Sequence, residues 1–302
     1  MKIGIDIGGS HIGIGLVDEF GNIQQKKEKY IVEKIENESQ INKQNLKEEI
    51  TQFIIQTIKE YQKMDFVENV GIAVPGTIKK EQILKSVNLG VKEYNLVENL
   101  KKEIQLPIKI RNDAKCAALT ENTIGALKDY KRSLFLTLGT GIGGAFIYHG
   151  TLMKSDCTEG YEIGHVIIKS DGLQCRCGKR GCFETYGGIL AFKNKVIDRL
   201  NLSHDIPGPE LRKIIDSSMD KISDIIEEYI NDLAIGISNL INIFEPDCIV
   251  IGGGFARYDY MLLGKLKGRL LNSNLLFNKR DDIVLRVAEF GNDAGIIGAS
   301  QL

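Results

Sequence analysis

The chain has 302 residues, 43% of them hydrophobic and 26% charged, with a formal net charge of −1. That length and composition suit two domains with cores of their own, and the balanced charge argues against nucleic acid or an anionic membrane surface as the main partner. No apolar run approaches the ~20 residues that span a bilayer. Met1-Lys2-Ile3-Gly4-Ile5-Asp6 meets a carboxylate before any signal-type apolar region, and the six Cys show no secreted framework, so a cytoplasmic location is expected.

Ile3–Ile7 reads as a short apolar strand, Gly8-Gly9-Ser10 as its turn and Ile12–Val17 as the returning strand. Phe20-Gly21-Asn22 then turns into a third strand near Ile23–Tyr30, whose lysines alternate with glutamates as on a solvated surface. Leu46, Ile50, Phe53, Ile54, Ile58 and Tyr61 fall on one helical face and predict an amphipathic helix over residues 43–62. Val70–Val74 is a buried strand ending at Pro75-Gly76. A helix is expected near Val91–Ile104, a strand at Ile108–Arg111 and a helix over Ala114–Leu127. This order predicts a mixed sheet with helices on its faces.

The same grammar then returns, with strand Ser133–Leu138, turn Gly139-Thr140-Gly141 and strand Gly143–Tyr148, which points to duplicated α/β domains. Ile222–Phe244 is a long helix stopped by Glu245-Pro246-Asp247, and Cys248–Ile251 is an apolar strand running into Gly252-Gly253-Gly254. Asp293 is placed to N-cap a last helix through Ser300. No low-complexity linker separates the halves, so a hinge near Asp113 is expected. The smaller α/β domain would cover residues 1–113, joined by the C-terminal helix 291–302. The larger would cover residues 114–290.

The most specific chemistry lies in residues 165–182. His165, Cys175, Cys177 and Cys182 supply the four ligands of a tetrahedral zinc site, and Gly178 and Gly181 let the loop fold back on itself. The competing readings are ordinary reduced thiols or a redox pair. Three of six cysteines in one short loop favour the metal. Such a set leaves no open coordination position, so the metal is structural and its work is to fix the flanking Glu162 and Glu184. Cys157 reads as a loop residue, because His165 completes the set.

Three glycine turns, Gly8-Gly9-Ser10, Gly139-Thr140-Gly141 and Gly252-Gly253-Gly254, stand at strand ends, where exposed amides admit a phosphate. They are neither a Walker A loop nor a Rossmann fingerprint, and a nucleotide is the expected ligand. Asp6, on the apolar first strand, is either a ligand facing Mg²⁺-water or phosphate, or a carboxylate bonded to the turn amides. Asp113, where a strand meets a helix, is either a functional carboxylate or a plain N-cap.

Together these segments resemble the ROK family of sugar kinases, on the two-domain ribonuclease H-like (actin-like ATPase) α/β fold. Asp6-Ile7-Gly8-Gly9-Ser10 resembles the family's first phosphate motif, Leu138–Gly144 the second and Ile249–Gly254 its adenosine motif. Glu162-Ile163-Gly164-His165 followed by Cys175–Glu184 is similar to its zinc signature. The resemblance spans essentially the whole chain. It implies ATP- and Mg²⁺-dependent phosphorylation of a hexose, with Asp113 as general base. Gly76, Asn112, Glu162, His165 and Glu184 are then placed around the sugar. Asp6, Gly8, Gly9, Ser10, Gly139, Thr140, Gly141, Gly252, Gly253 and Gly254 surround the nucleotide, and His165, Cys175, Cys177 and Cys182 a structural Zn²⁺. His165 would turn one ring nitrogen to the metal and the other to the sugar.

Glucose is the first expected substrate, with N-acetylmannosamine, allose or a β-glucoside as alternatives. The resemblance also implies a homodimer, with no nucleic-acid or membrane partner. A sugar-sensing regulator is the reading from another class. Such relatives carry a helix-turn-helix ahead of the first phosphate motif, which here begins at Ile3. Departures from the family pattern are His11 in place of the usual Lys, Ser10 in place of Thr, and the segment 155–161.

Overall fold

The structure, a computed structural model, describes residues 1–9, 11–31, 40–86, 89–153, 160–272 and 274–302, with backbone alone for 40–44. Ser10, Cys157 and most of the 155–161 segment lie outside the described residues. The chain forms two compact units. One comprises Met1–Lys128, Leu152–Tyr161 and Glu289–Leu302, the other Asp129–Thr151 and Glu162–Ala288. Among the described residues, no helix is long and apolar enough to cross a membrane.

In the first unit β1 (Lys2–Ile7), β2 (His11–Val17) and β3 (Ile23–Tyr30) form an antiparallel meander, and α1 (Gln40–Met64) leads to β4 (Val70–Val74). A small sheet of β5 (Thr77–Lys79), β6 (Gln82–Ser86) and β7 (Val91–Tyr94), then α2 (Leu96–Lys101), precede β8 (Ile108–Asn112) and α3 (Asp113–Thr123). β4 and β8 run parallel to β1, giving the order β3-β2-β1-β4-β8.

Side chains alternate across β1, and its two faces do different work. Ile3, Ile5 and Ile7 join Ile50, Ile54 and Ile58 of α1 in one buried core. The other face carries Gly4 and Asp6, and there the C-terminal helix Ala294–Ser300 lies directly on the sheet backbone. A Cβ at Gly4 would collide with the Ile296 carbonyl, one at Gly71 with that of Ala299, and one at Gly298 with the Cys116 carbonyl of α3.

The second unit repeats the plan. β9 (Arg132–Leu138), β10 (Ile142–Tyr148) and the short β11 (Thr151–Leu152) come first. Helices α4 (Phe183–Gly187), α5 (Ile189–Arg199), α6 (Gly208–Ser217) and α7 (Ser223–Phe244) follow. β12 (Cys248–Gly252), α8 (Asp259–Leu271) and β13 (Val284–Val287) complete it. β12 and β13 run parallel to β9, and the sheet order β11-β10-β9-β12-β13 matches that of the first unit strand for strand. Leu134, Leu136, Ile249 and Ile251 bury against Phe192 and Val196 of α5 and Leu233 and Ile237 of α7.

Four expectations change. Residues 91–104 are not one helix. Val91 and Tyr94 are buried and pair with Ser86 and Ile83, and only Leu96–Lys101 is helical. α3 stops at Thr123, two residues before Gly125, instead of running to Leu127. Asp293 precedes the last helix but makes no side-chain cap bond, because its carboxylate accepts from Lys26 Nζ at 2.8 Å. The first unit also runs on past Asp113 to Lys128. α3 packs on the C-terminal helix, and Thr120 Oγ1 donates to the Ala294 carbonyl at 2.7 Å.

Candidate active site and metal centre

In the first unit, Gly8 N–H donates to the His11 carbonyl at 2.8 Å and closes the β1–β2 turn, with Gly9 at its tip. The His11 imidazole rests on this turn. A Cβ at Gly8 would stand 3.3 Å from its Nδ1 and Cε1. Asp6 lies between Gly13 and Ala73 in the sheet register, and its carboxylate presses against Gly295, where a Cβ would strike it. Burial above all, then the charge of Asp113, pushes the Asp6 carboxyl up to about 7, with Lys26 opposing. The negative fields of Asp6 and Asp113 therefore overlap in that part of the unit.

At the end of β8 both Asn112 and Asp113 engage the first turn of α3. Asn112 is the N-cap of α3, its Oδ1 accepting from Ala114 N at 3.1 Å and Lys115 N at 3.4 Å. Its Nδ2 donates to the Gly76 carbonyl at 3.3 Å. Asp113 stands at the first helical position, with Oδ1 2.8 Å from Ala114 N. Gly76 has φ +116° in the left-handed region, and a Cβ there would strike the Lys85 carbonyl. Gly76, Asn112 and Asp113 thus form one continuous backbone-and-amide corner.

In the second unit, the ligand atoms of His165, Cys175, Cys177 and Cys182 lie within 4.8 Å of one another. Cys177 Sγ is 3.7 Å from Cys182 Sγ, and Cys175 Sγ is 3.7 Å from His165 Nδ1. A tetrahedral zinc with Zn–S bonds of ~2.3 Å sets sulfur–sulfur edges of about 3.8 Å, so the donor set and its spacing fit that metal. Nδ1 is the ring nitrogen turned toward the thiols. Gly178 and Gly181, both at positive φ, make the reversals between the thiols. The antiparallel bridges Gln174↔Arg180 and Ile167↔Cys182 pair the two arms of the loop.

Glu184, in α4, follows this loop directly. Its Oε2 accepts from Ile142 N at 3.1 Å, and Cys175 Sγ approaches Oε1 at 3.9 Å. A Cβ at Gly141 would collide with the same carboxylate. Glu162 opens the 3₁₀ turn Ile163–His165, its carbonyl accepting from His165 N at 3.0 Å.

The turn Gly139-Thr140-Gly141 is closed by Gly139 N–H to the Gly141 carbonyl at 2.9 Å, with Thr140 exposed. Gly253, at φ +72°, packs beside the Leu138 carbonyl, and Gly254 against Ile189 at the start of α5. The Gly139 turn and the Gly252–Gly254 segment therefore meet at the carboxyl ends of the parallel strands β9 and β12, where α/β sheets bind ligands. Lys193 of α5 was not singled out by the sequence. Burial, then the charge of Arg257 from the neighbouring 3₁₀ turn, pushes its ammonium pKa down. No spacing signal marks it, since the two cations are brought together only by the fold.

Of the residues singled out in sequence, Asp6, Gly8, Gly9, Gly76, Asn112 and Asp113 belong to the first unit. Gly139, Thr140, Gly141, Glu162, His165, Cys175, Cys177, Cys182, Glu184 and Gly252–Gly254 belong to the second.

Two sheets of one plan, each opening on a glycine turn between antiparallel strands, define a duplicated α/β protein. The ROK family profile matches residues 2–302, and the chain belongs to the ROK family. It is 31% identical over 321 residues to the glucokinase of Halalkalibacterium halodurans, covering 99% of this chain and 94% of that one. It is 29% identical over 316 residues to the glucokinase of Thermotoga maritima, covering 99% and 96%. A solved ROK family glucokinase from Streptomyces griseus, in complex with glucose and AMPPNP, aligns with TM-score 0.81 at 26% identity, covering 99% of this chain and 98% of that one.

Proposed function

We propose that the protein is an ATP-dependent hexose kinase that converts glucose to glucose 6-phosphate, with Asp113 as general base. The observation that carries this reading is the arrangement at the end of β8. Asn112 takes the amides of Ala114 and Lys115 and holds Gly76, while Asp113, its Oδ1 accepting from Ala114 N at 2.8 Å, sets a carboxylate directly beside them. A sugar hydroxyl is a weak nucleophile, and a carboxylate that takes its proton as it attacks the γ-phosphate is worth ~10²–10⁴-fold in rate. Gly76, Asn112, Glu162, His165 and Glu184 hold the sugar hydroxyls in this reading. The turns at Gly8-Gly9-Ser10 and Gly139-Thr140-Gly141 hold the phosphates, Gly252–Gly254 holds the adenosine, and Asp6 faces the phosphates.

Mg²⁺ bound with ATP neutralises charge on the transferring phosphoryl group. Zn²⁺ held by His165, Cys175, Cys177 and Cys182 fixes the loop and keeps the His165 ring in one orientation, leaving Nε2 to the sugar. Full-length similarity to two glucokinases supports glucose as the acceptor. The family resemblance extends the reading to a cytoplasmic homodimer.

The test is ADP release with ATP and Mg²⁺ over glucose, N-acetylmannosamine, N-acetylglucosamine, allose, mannose and cellobiose, run beside Asp113→Asn. Glucose is expected to give the highest kcat/KM. The variant should lose ~10²–10⁴-fold in kcat while still binding sugar by calorimetry. Preference for another sugar moves the substrate and keeps the mechanism. Sugar binding with no turnover on any sugar replaces the kinase with a sensor.

A further inference from the structure

A glycine-rich turn that receives phosphates has to be held in one shape, because its own residues restrict it little. One closure of the Gly139-Thr140-Gly141 turn is internal, from Gly139 N–H to the Gly141 carbonyl at 2.9 Å. The other comes from outside, where Ile142, the first residue after the turn, donates its N–H to Glu184 Oε2 at 3.1 Å. Gly141 lacks the Cβ that would collide with this carboxylate, so the acid lies directly on the turn backbone. Glu184 is itself tethered to the thiol loop. Cys182 is the N-cap residue of α4, and Thr185 Oγ1 donates to the Cys182 carbonyl at 2.6 Å.

We propose that Glu184 is a positioning residue for the phosphate turn, so that one carboxylate serves the sugar side and also sets nucleotide affinity. This rests on the assignment of Gly139–Gly141 to the nucleotide made above. The bond acts at the strand end where β10 begins to pair with β9, Ile142 standing opposite Leu138. Without it, the turn opens locally and the binding-competent shape becomes a fraction of the population, which weakens nucleotide binding by that fraction. Sugar need not be present for this to happen.

The experiment is calorimetric titration of the full chain with Mg²⁺·AMPPNP in the absence of sugar, together with hydrogen exchange at the Ile142 amide. Glu184→Ala is expected to raise the AMPPNP Kd about tenfold or more and to expose the Ile142 amide. Glu184→Asp, which keeps the charge but is one methylene shorter, should behave the same way and serves if the alanine variant does not fold. Glu184→Gln keeps an acceptor oxygen in place and should rescue both readings to within about threefold of wild type. Unchanged AMPPNP affinity and Ile142 protection in Glu184→Ala and Glu184→Asp, with glucose binding lost, would mean a sugar contact only and overturns the proposal. A wild-type chain that binds no AMPPNP instead sinks the kinase reading, and Ile142 exchange still reports whether Glu184 holds the turn.

Discussion

The carboxylate of Glu121 holds the backbone of Glu289, Oε1 accepting its N–H at 2.8 Å, 168 positions away in the chain. The same oxygen takes Phe290 N at 3.1 Å, and Oε2 takes Ala126 N at 3.0 Å. Ala126 lies just before the chain leaves the first unit after Lys128, and Glu289 and Phe290 are where it returns after Ala288. One side chain, fully buried at 0% exposure, thus ties two of the chain's four passages between the units to the end of α3.

Replacing Glu121 by Ala leaves three amides without their acceptor, that of Ala126 buried and those of Glu289 and Phe290 part-buried. A buried donor without an acceptor costs ~1–3 kcal/mol and a part-buried one less, so a loss of about 2 kcal/mol in unfolding free energy is expected. Glu121→Gln should lose less, because its oxygen still serves one side while its NH₂ faces an N–H on the other. Urea denaturation of both variants measures this, and a loss in Glu121→Ala below about 1 kcal/mol refutes the clamp.

Two glycine substitutions should move stability in opposite directions. Gly71→Ala drives a methyl into the Ala299 carbonyl under the C-terminal helix and is expected to abolish folding or lower stability severely. At Gly264, inside α8, an added methyl would meet nothing within 4 Å. Gly264→Ala should stabilise by roughly 0.5–1 kcal/mol through helix propensity. Thermal melts of the two variants beside wild type decide the matter, and a stabilised Gly71→Ala would contradict the packing.

The Asp6 carboxyl ionises near 3.8 when the chain is unfolded and is pushed up to about 7 in the fold by burial and the charge of Asp113. The fold therefore prefers its neutral form. The stabilising contribution is full below about pH 4 and is lost as pH rises through 7. For the ligand-free protein, wild type should lose stability against Asp6→Asn between pH 4 and pH 8, since the amide is neutral throughout. Urea midpoints across that range test this, and parallel curves for the two proteins would remove Asp6 as a titrating group.

Elemental analysis of the purified protein should find about one zinc ion per chain, lost in Cys177→Ser. Cys177 is the exposed thiol of the set, so its replacement removes a ligand with little change in packing. Chelation of wild type is expected to lower Tm by roughly 5 °C, corresponding to about 2 kcal/mol, and to leave Cys177→Ser unaffected. A chelator that shifts both proteins equally would show that the loop holds no metal.

The features legible from the sequence are those whose partners are close along the chain. The spacing of Cys175, Cys177 and Cys182, the glycine turns after apolar strands, and the alternation of Ile3, Ile5 and Ile7 each leave a local mark that chemistry or periodicity can read. Where a residue's local preference competes with a distant partner, the sequence misleads. Asp293 is a sound N-cap candidate, yet the Lys26 ammonium, placed beside it by β2 and β3, takes its carboxylate. The Val91–Tyr94 stretch has helix-compatible neighbours but is claimed by β6. Other relationships leave no mark at all, among them Glu121 to Glu289, Glu184 to Ile142, and the contact of Gly4 and Gly71 with the C-terminal helix. A hydrogen bond or a missing Cβ acts over a few ångströms, so only the fold that brings distant segments that close decides what those residues do.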